Sequence, residues 1–234
     1  MSEGLEPTKP RSDLGIRTLS GLAMLAIFAA VIWAGGPLFN GLLAVVLAGI
    51  VFEYWKLVND AFGLSIVGFI AIILGLTYIT GATNTLYSLR NIGLVDALAP
   101  VVIVIAVDIG AYFFGRTFGG PKIAPSISPS KTWSGLFGGI VTAAITVAAY
   151  QLANFDTSDP NATLGGVFNY ALLVGTFAGV VAQSGDFLES WFKRRAGVKD
   201  SGNLIPGHGG LLDRLDGLLA VLFVMGIFTR AGVL

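Results

Sequence analysis

The sequence predicts an all-α, polytopic integral membrane protein with about seven transmembrane helices. Of its 234 residues, 54% are hydrophobic and only 12% charged, with a mean hydropathy of +0.79. That balance lies outside both ordinary soluble domains and disordered chains. Apolar runs recur near the roughly 20 residues that a helix needs to cross the hydrocarbon core. No run of short alternating segments points to a β-barrel.

Taken in order, a polar tail of residues 1–16 with Pro7 and Pro10 precedes a single membrane domain over 17–234. The first span is read at 18–36. It is too long for a signal-peptide core, and Gly35-Gly36-Pro37 is a poor cleavage site before another apolar segment, so the span is expected to remain. Further spans are read at 38–55, 64–81, 92–115, 132–153, 164–184 and 215–233, with room for a re-entrant or additional short segment in 81–100. The 32 glycines are spread through these segments, where small residues let membrane helices approach closely. There is no cysteine, which excludes disulfides and thiolate metal sites. A net charge of zero gives no electrostatic argument for a nucleic-acid partner. Asn161-Ala-Thr163 matches a glycosylation sequon, a pattern too short to carry weight.

Charge orients the chain. If spans alternate sides, the tail (Lys9, Arg11, Arg17), the 56–63 turn (Lys56), the 116–131 loop (Arg116, Lys122, Lys131) and the 185–214 loop (Lys193, Arg194, Arg195, Lys199, Arg214) share one side. Only Arg90 and Arg230 fall opposite, and 154–163 has neither Lys nor Arg. The positive-inside rule places the two long loops in the cytoplasm.

The first of them belongs to the stretch DIGAYFFGRTFGGPKIAPSISPSKTWS at 108–134. Asp108 and Tyr112 are four apart and share a helix face. An acid in a membrane span either lines a polar cavity or sits at the headgroup level, paired for assembly. Gly115, Gly120 and Lys122 imitate a phosphate loop, but Pro121 stands where the Walker lysine belongs and no Ser/Thr follows, so that reading fails. Pro125 and Pro129 make 126–130 a non-helical loop. Lys131, which follows it, is either a phosphate contact or an ordinary orienting lysine.

Ten charged residues and the only histidine fall between Asp186 and Asp216. Asp186, Glu189, Ser190 and Lys193 stand at i, i+3, i+4 and i+7, one continuous helix face. Asp213 and Asp216 share a face at the start of the next span. Two helix ends flanking one loop can bring Asp186 and Asp213 together, and converging carboxylates suit Mg²⁺. The alternative is that these acids neutralise Arg194, Arg195 and Arg214 at the interface. A lone histidine makes zinc improbable. Gly207, Gly209 and Gly210 either make tight turns or, beside Lys199 and Arg214, bring backbone N–H groups to an anion.

The stretch Ser190, Phe192, Lys193-Arg194, Lys199-Asp200, His208-Gly-Gly-Leu211, Asp213-Arg214, Leu215 and Asp216 resembles the signature of the phosphatidate cytidylyltransferases (CDP-diacylglycerol synthases). The pieces Asp108–Gly115 and Ser128-Pro-Ser-Lys131-Thr-Trp133 also look like that family, so the resemblance covers 108–217 well. The N-terminal half resembles it mainly in hydropathy and in Glu53-Tyr54-Trp55.

The resemblance implies transfer of cytidylyl from CTP to phosphatidic acid, giving CDP-diacylglycerol and pyrophosphate. Catalytic residues would be Asp186, Ser190, Lys193 and Asp213, with Mg²⁺ on Asp186 and Asp213 and room for a second cation. Substrate contacts would be Asp108, Tyr112, Lys131, Arg194, Lys199, Asp200, His208, Gly209, Gly210, Arg214 and Asp216. Phosphatidate is ionised near neutrality, so no general base is assigned and His208 positions or contacts phosphate. The implied setting is a prokaryotic inner (plasma) membrane with the site facing the cytoplasm, in which a homodimer is admitted. Competing readings are a related prenol or dolichol kinase, a cytidylyltransferase for another lipid, and a transporter. The last requires paired interrupted helices in two related halves, a repeat not visible in the sequence.

Overall fold

The computed structural model describes residue 21 and residues 26–155, 163–205 and 209–231. The polar tail, the sequon at Asn161 and His208 lie outside the described residues. Helix α1 is described over residues 26–34. It is followed by α2 (Gly36–Phe62), α3 (Ile66–Ile92), α4 (Leu94–Phe118), α5 (Trp133–Ala153), α6 (Leu164–Ala196) and α7 (Leu212–Arg230). A two-stranded antiparallel hairpin, β1 (Lys122–Ala124) and β2 (Ser128–Thr132), stands between α4 and α5.

Each expected apolar segment overlaps a helix. Five of them, α2 to α6, are long and apolar enough to cross a membrane. Helix α7 has 19 residues but carries Asp213, Arg214 and Asp216 in its first turns and Arg230 at its end. The 81–100 stretch holds no separate segment: α3 runs on to Ile92 and α4 begins after Gly93. The 116–131 loop contains the hairpin, an exception to the all-α expectation. Trp133 N–H donates to the Pro121 carbonyl at 3.2 Å and closes its base.

Local chemistry sets the helix ends. Ser65, Thr132 and Thr163 accept from the N–H groups of Gly68, Gly135 and Gly166 at 3.1, 3.1 and 3.0 Å, each satisfying a donor that the first helical turn leaves open. Helix α6 stops at Gly197, whose φ of 71° is the left-handed conformation favourable to glycine. The chain then turns into the 197–211 loop.

Two clusters hold the bundle together. One joins Ile50, Leu57 and Val58 of α2 to Ile79, Ala82 and Leu86 of α3 and Leu219 and Leu222 of α7. The other joins Val104 and Val107 of α4 to Ala143 of α5, Ala178 and Ala182 of α6 and Val221 of α7. Glycines permit the closest crossings: a Cβ on Gly175 would stand 2.5 Å from Ala144 N, and one on Gly185 2.5 Å from the Asp216 carbonyl. This is the packing expected where lipid supplies no drive for helices to associate and contact must come from close approach. The second crossing brings α6 and α7 together at the level of their acidic residues.

Candidate active site

Helix α6 runs on to Ala196, so Asp186, Glu189, Ser190 and Lys193 form the helical face their spacing predicts, beyond the expected end of the span at 184. Opposite stand Asp213, Arg214 and Asp216 at the start of α7, with Asp108 from α4 and Lys131 from β2. Together these nine side chains line a polar cavity of about 340 Å³. Residues far apart in sequence converge because α6 crosses α7 tightly at Gly185 and the hairpin folds back over the end of α4.

Charge pairing organises the cavity. Lys193 Nζ donates to Asp213 Oδ1 at 2.7 Å and pairs with Glu189 one helical turn away. Lys131 pairs with Asp186, and its ammonium stands 5.4 Å from the centre of the Phe187 ring. Burial pulls the Lys131 ammonium down to about 8, against the attraction of Asp216, Asp108 and Glu189. It therefore remains a cation near neutrality. Five carboxylates face three cations here, and one oxygen of Glu189, Oε1, is buried without a hydrogen-bond partner.

Asp213 is held from its other side by the loop. Its Oδ2 accepts the Ser201 N–H at 2.9 Å, the Ser201 hydroxyl at 3.0 Å and the Gly210 N–H at 2.9 Å. Behind it Glu53, 1% exposed, accepts the Leu212 N–H at 2.8 Å, and its Oε2 stands 3.3 Å from the Ser201 hydroxyl. A Cβ on Gly210 would press on Ser201 and stand 2.8 Å from Glu53, so this position accepts only glycine without rearrangement. Gly209 has φ 84° and its carbonyl accepts from Ile205 N–H at 3.0 Å. These glycines shape the loop around Asp213.

Of the residues expected from the sequence, Asp108, Lys131, Asp186, Ser190, Lys193, Asp213, Arg214 and Asp216 come together. Tyr112 does not line the cavity: it is 58% exposed, and its hydroxyl accepts from Arg116 at 2.6 Å. Four residues advance about 40° beyond one full helical turn, enough to carry Tyr112 past the cavity edge. Arg194 is exposed and donates to the Ile127 carbonyl at 3.2 Å, tying α6 to the hairpin. Lys199 and Asp200 are exposed loop residues outside the cavity. His208 is not among the described residues. Sequence reasoning left Glu53, Ser201 and Glu189 out of the site. Glu53 had a signal, an acid within an apolar span; Glu189 shares the helical face of Asp186 and Lys193; Ser201 had none.

Residues 61–231 match the model of the Cytidylyltransferase family. The phosphatidate cytidylyltransferase of Rickettsia bellii (strain RML369-C) is 32% identical over 237 residues, covering 97% of this chain and 96% of that protein. That of Bacillus subtilis (strain 168) is 38% identical over 183 residues, 75% of this chain and 64% of that protein. That of Brucella suis biovar 1 (strain 1330) is 42% identical over 126 residues, 54% of this chain and 43% of that protein. The match thus spans under two thirds of the Bacillus protein and under half of the Brucella one.

Proposed function

We propose, because the chain belongs to the cytidylyltransferase family, that it transfers the cytidylyl group of CTP to phosphatidate, forming CDP-diacylglycerol and pyrophosphate. The observation that carries this reading is the cavity itself. Lys131, Lys193 and Arg214 line it among carboxylates, in a bundle whose helices are long and apolar enough to cross a membrane. With a divalent cation offsetting its excess of carboxylates, such a place would receive two polyanions, one of them anchored in lipid.

A phosphatidate oxygen attacks the α-phosphorus of CTP. The new P–O bond forms as the bond from that phosphorus to the bridging oxygen breaks, and pyrophosphate leaves with the electron pair. Lys193 and Lys131 exchange carboxylate partners for phosphate oxygens as substrates arrive, cancelling repulsion between the two anions and stabilising the leaving group. Asp213, clamped by Ser201 and Gly210, keeps α7 in register with α6 throughout. No side chain is required as a base, since the attacking oxygen is already ionised.

The donor chemistry suits Mg²⁺. Carboxylate oxygens exceed the cations that neutralise them, and Glu189 Oε1 is buried without a partner. Among the described residues no three acidic or imidazole groups converge into an all-protein cage, and Mg²⁺ commonly keeps waters and substrate phosphates instead. Asp186 and Asp213 would hold it; when bound it supplies charge neutralisation at the transferring phosphate. Seven spans and a plasma-membrane location complete the reading, and the Lys/Arg asymmetry of the loops supports cytoplasmic placement of the cavity. Purified protein incubated with labelled CTP, phosphatidate and Mg²⁺ should yield a labelled lipid and pyrophosphate. Release of label as free nucleotide alone, with no labelled lipid, would overturn the assignment.

A further inference from the structure

Beside the polar cavity lies a second one of about 420 Å³ with walls of opposite character. Ile70, Leu74 and Ile79 of α3 form one side, facing Tyr54 of α2 and Leu188 of α6. The two tyrosines that line it do not make it polar. Tyr54 OH donates to the Ala71 carbonyl at 2.8 Å and Tyr78 OH to the Asp216 carbonyl at 3.4 Å, which leaves their rings as groove wall. Glu189 and Asp216 line both cavities. A charged chamber and an apolar groove therefore meet at a shared boundary, a shape matched to one amphiphile with its head on one side and its chain on the other.

The geometry points to this groove as the seat of one acyl chain of the acceptor lipid, laid along α3. The inference rests on the acceptor being the phosphatidate proposed above, and it adds the residues that orient it. From Val67 to Ile79 the α3 wall is about 18 Å long, and Asp216 meets it at Tyr78, so the wall offers room for part of an acyl chain beside the polar boundary. Bilayer and groove are comparably apolar, so the transfer adds little affinity. What the groove contributes is orientation, holding the phosphate at the Glu189–Asp216 boundary while the other chain stays in lipid.

Leu74 is 65% exposed at the rim of the groove, so Leu74→Trp enlarges a lipid-facing side chain without opening the core. Leu173 on α6 is 69% exposed and does not line the groove, which makes Leu173→Trp the control. With dioleoyl phosphatidate, Leu74→Trp should lower kcat/KM about tenfold, leaving the KM for CTP unchanged. With dibutanoyl phosphatidate, whose chains leave most of the groove empty, it should match wild type, and the control should match wild type with both. Equal losses on both acceptors, or no loss on either, would overturn the proposal. A phosphatidate carrying a photoactivatable acyl chain gives a readout independent of turnover. It should label the chain between residues 67 and 79, in competition with unlabelled phosphatidate but not with phosphatidylcholine. Labelling spread over the outer faces, or competed equally by both lipids, argues against the groove. If wild type makes no labelled lipid from any acceptor, the proposed activity falls, while the crosslink still decides the groove.

Discussion

The carboxylate of Glu53, near the end of α2, accepts the backbone N–H of Leu212, 159 residues later, at 2.8 Å. An acid from the first half of the chain thereby caps the helix that carries Asp213 and Asp216. The same oxygen stands 3.3 Å from the Ser201 hydroxyl, which donates to Asp213. Glu53→Ala would orphan the buried Leu212 donor and open a space behind the loop. A loss of about 1–3 kcal/mol in stability is expected, together with lower kcat as Asp213 loses its setting. Glu53→Gln keeps an acceptor and the shape, and should recover most of the stability. Thermal unfolding in detergent and turnover check this. A wild-type Tm and rate in Glu53→Ala would remove Glu53 from the support of the site.

Asp186 on α6 and Asp213 at the start of α7 both line the polar cavity and are the two acids we propose as Mg²⁺ ligands. Asp186→Asn and Asp213→Asn should each abolish turnover while the protein still inserts and elutes as wild type. Chelation of divalent cations should do the same reversibly, with activity restored by added Mg²⁺. Retention of most activity by either variant would take that residue out of the metal site.

Lys193 pairs with two acids in the cavity, whereas Lys9 lies in a tail without any motif. Loss of one charge-assisted phosphate contact costs on the order of 1.5–3 kcal/mol, roughly tenfold to more than a hundredfold in rate or affinity. Lys193→Ala should fall within that range and Lys9→Ala should change little. Equal, negligible effects would reduce Lys193 to an orienting charge.

If the proposed donor is cytoplasmic CTP, the hairpin and the 197–211 loop should face one side and the 154–163 loop the other. The chain has no native cysteine, so single cysteines report side without background. Ser126 and Lys199 are exposed, whereas Ser201 is only 5% exposed and bonded to Asp213, which makes Lys199 the better probe of its loop. On sealed right-side-out vesicles an impermeant thiol reagent should label Ser158→Cys alone. Ser126→Cys and Lys199→Cys should react after permeabilisation. Opposite sidedness of Ser126→Cys and Lys199→Cys would mean that the hairpin and the loop do not share one site.

Membrane architecture, helix positions and the nature of the chemistry were legible in the sequence because they are written in local order. Apolar run length follows from bilayer thickness, and the 3.6-residue period alone puts Asp186, Glu189, Ser190 and Lys193 on one face. The spacing of the Ser190–Asp216 motif was likewise sufficient to point to the family. Where α6 ends was not legible, because the apolar run stops near residue 184 whereas the helix continues through the charged face to Ala196. Nor was the exclusion of Tyr112, whose shared face with Asp108 is a statement of spacing, while the cavity edge is set by how α4 packs. The hairpin, the cap that Glu53 places on α7 and the meeting of a polar chamber with an apolar groove are products of the tertiary structure. The hairpin pairs residues no more than 10 apart, but the other two join atoms from segments tens to more than a hundred residues apart, at distances decided by glycine-permitted helix crossings that no local pattern encodes.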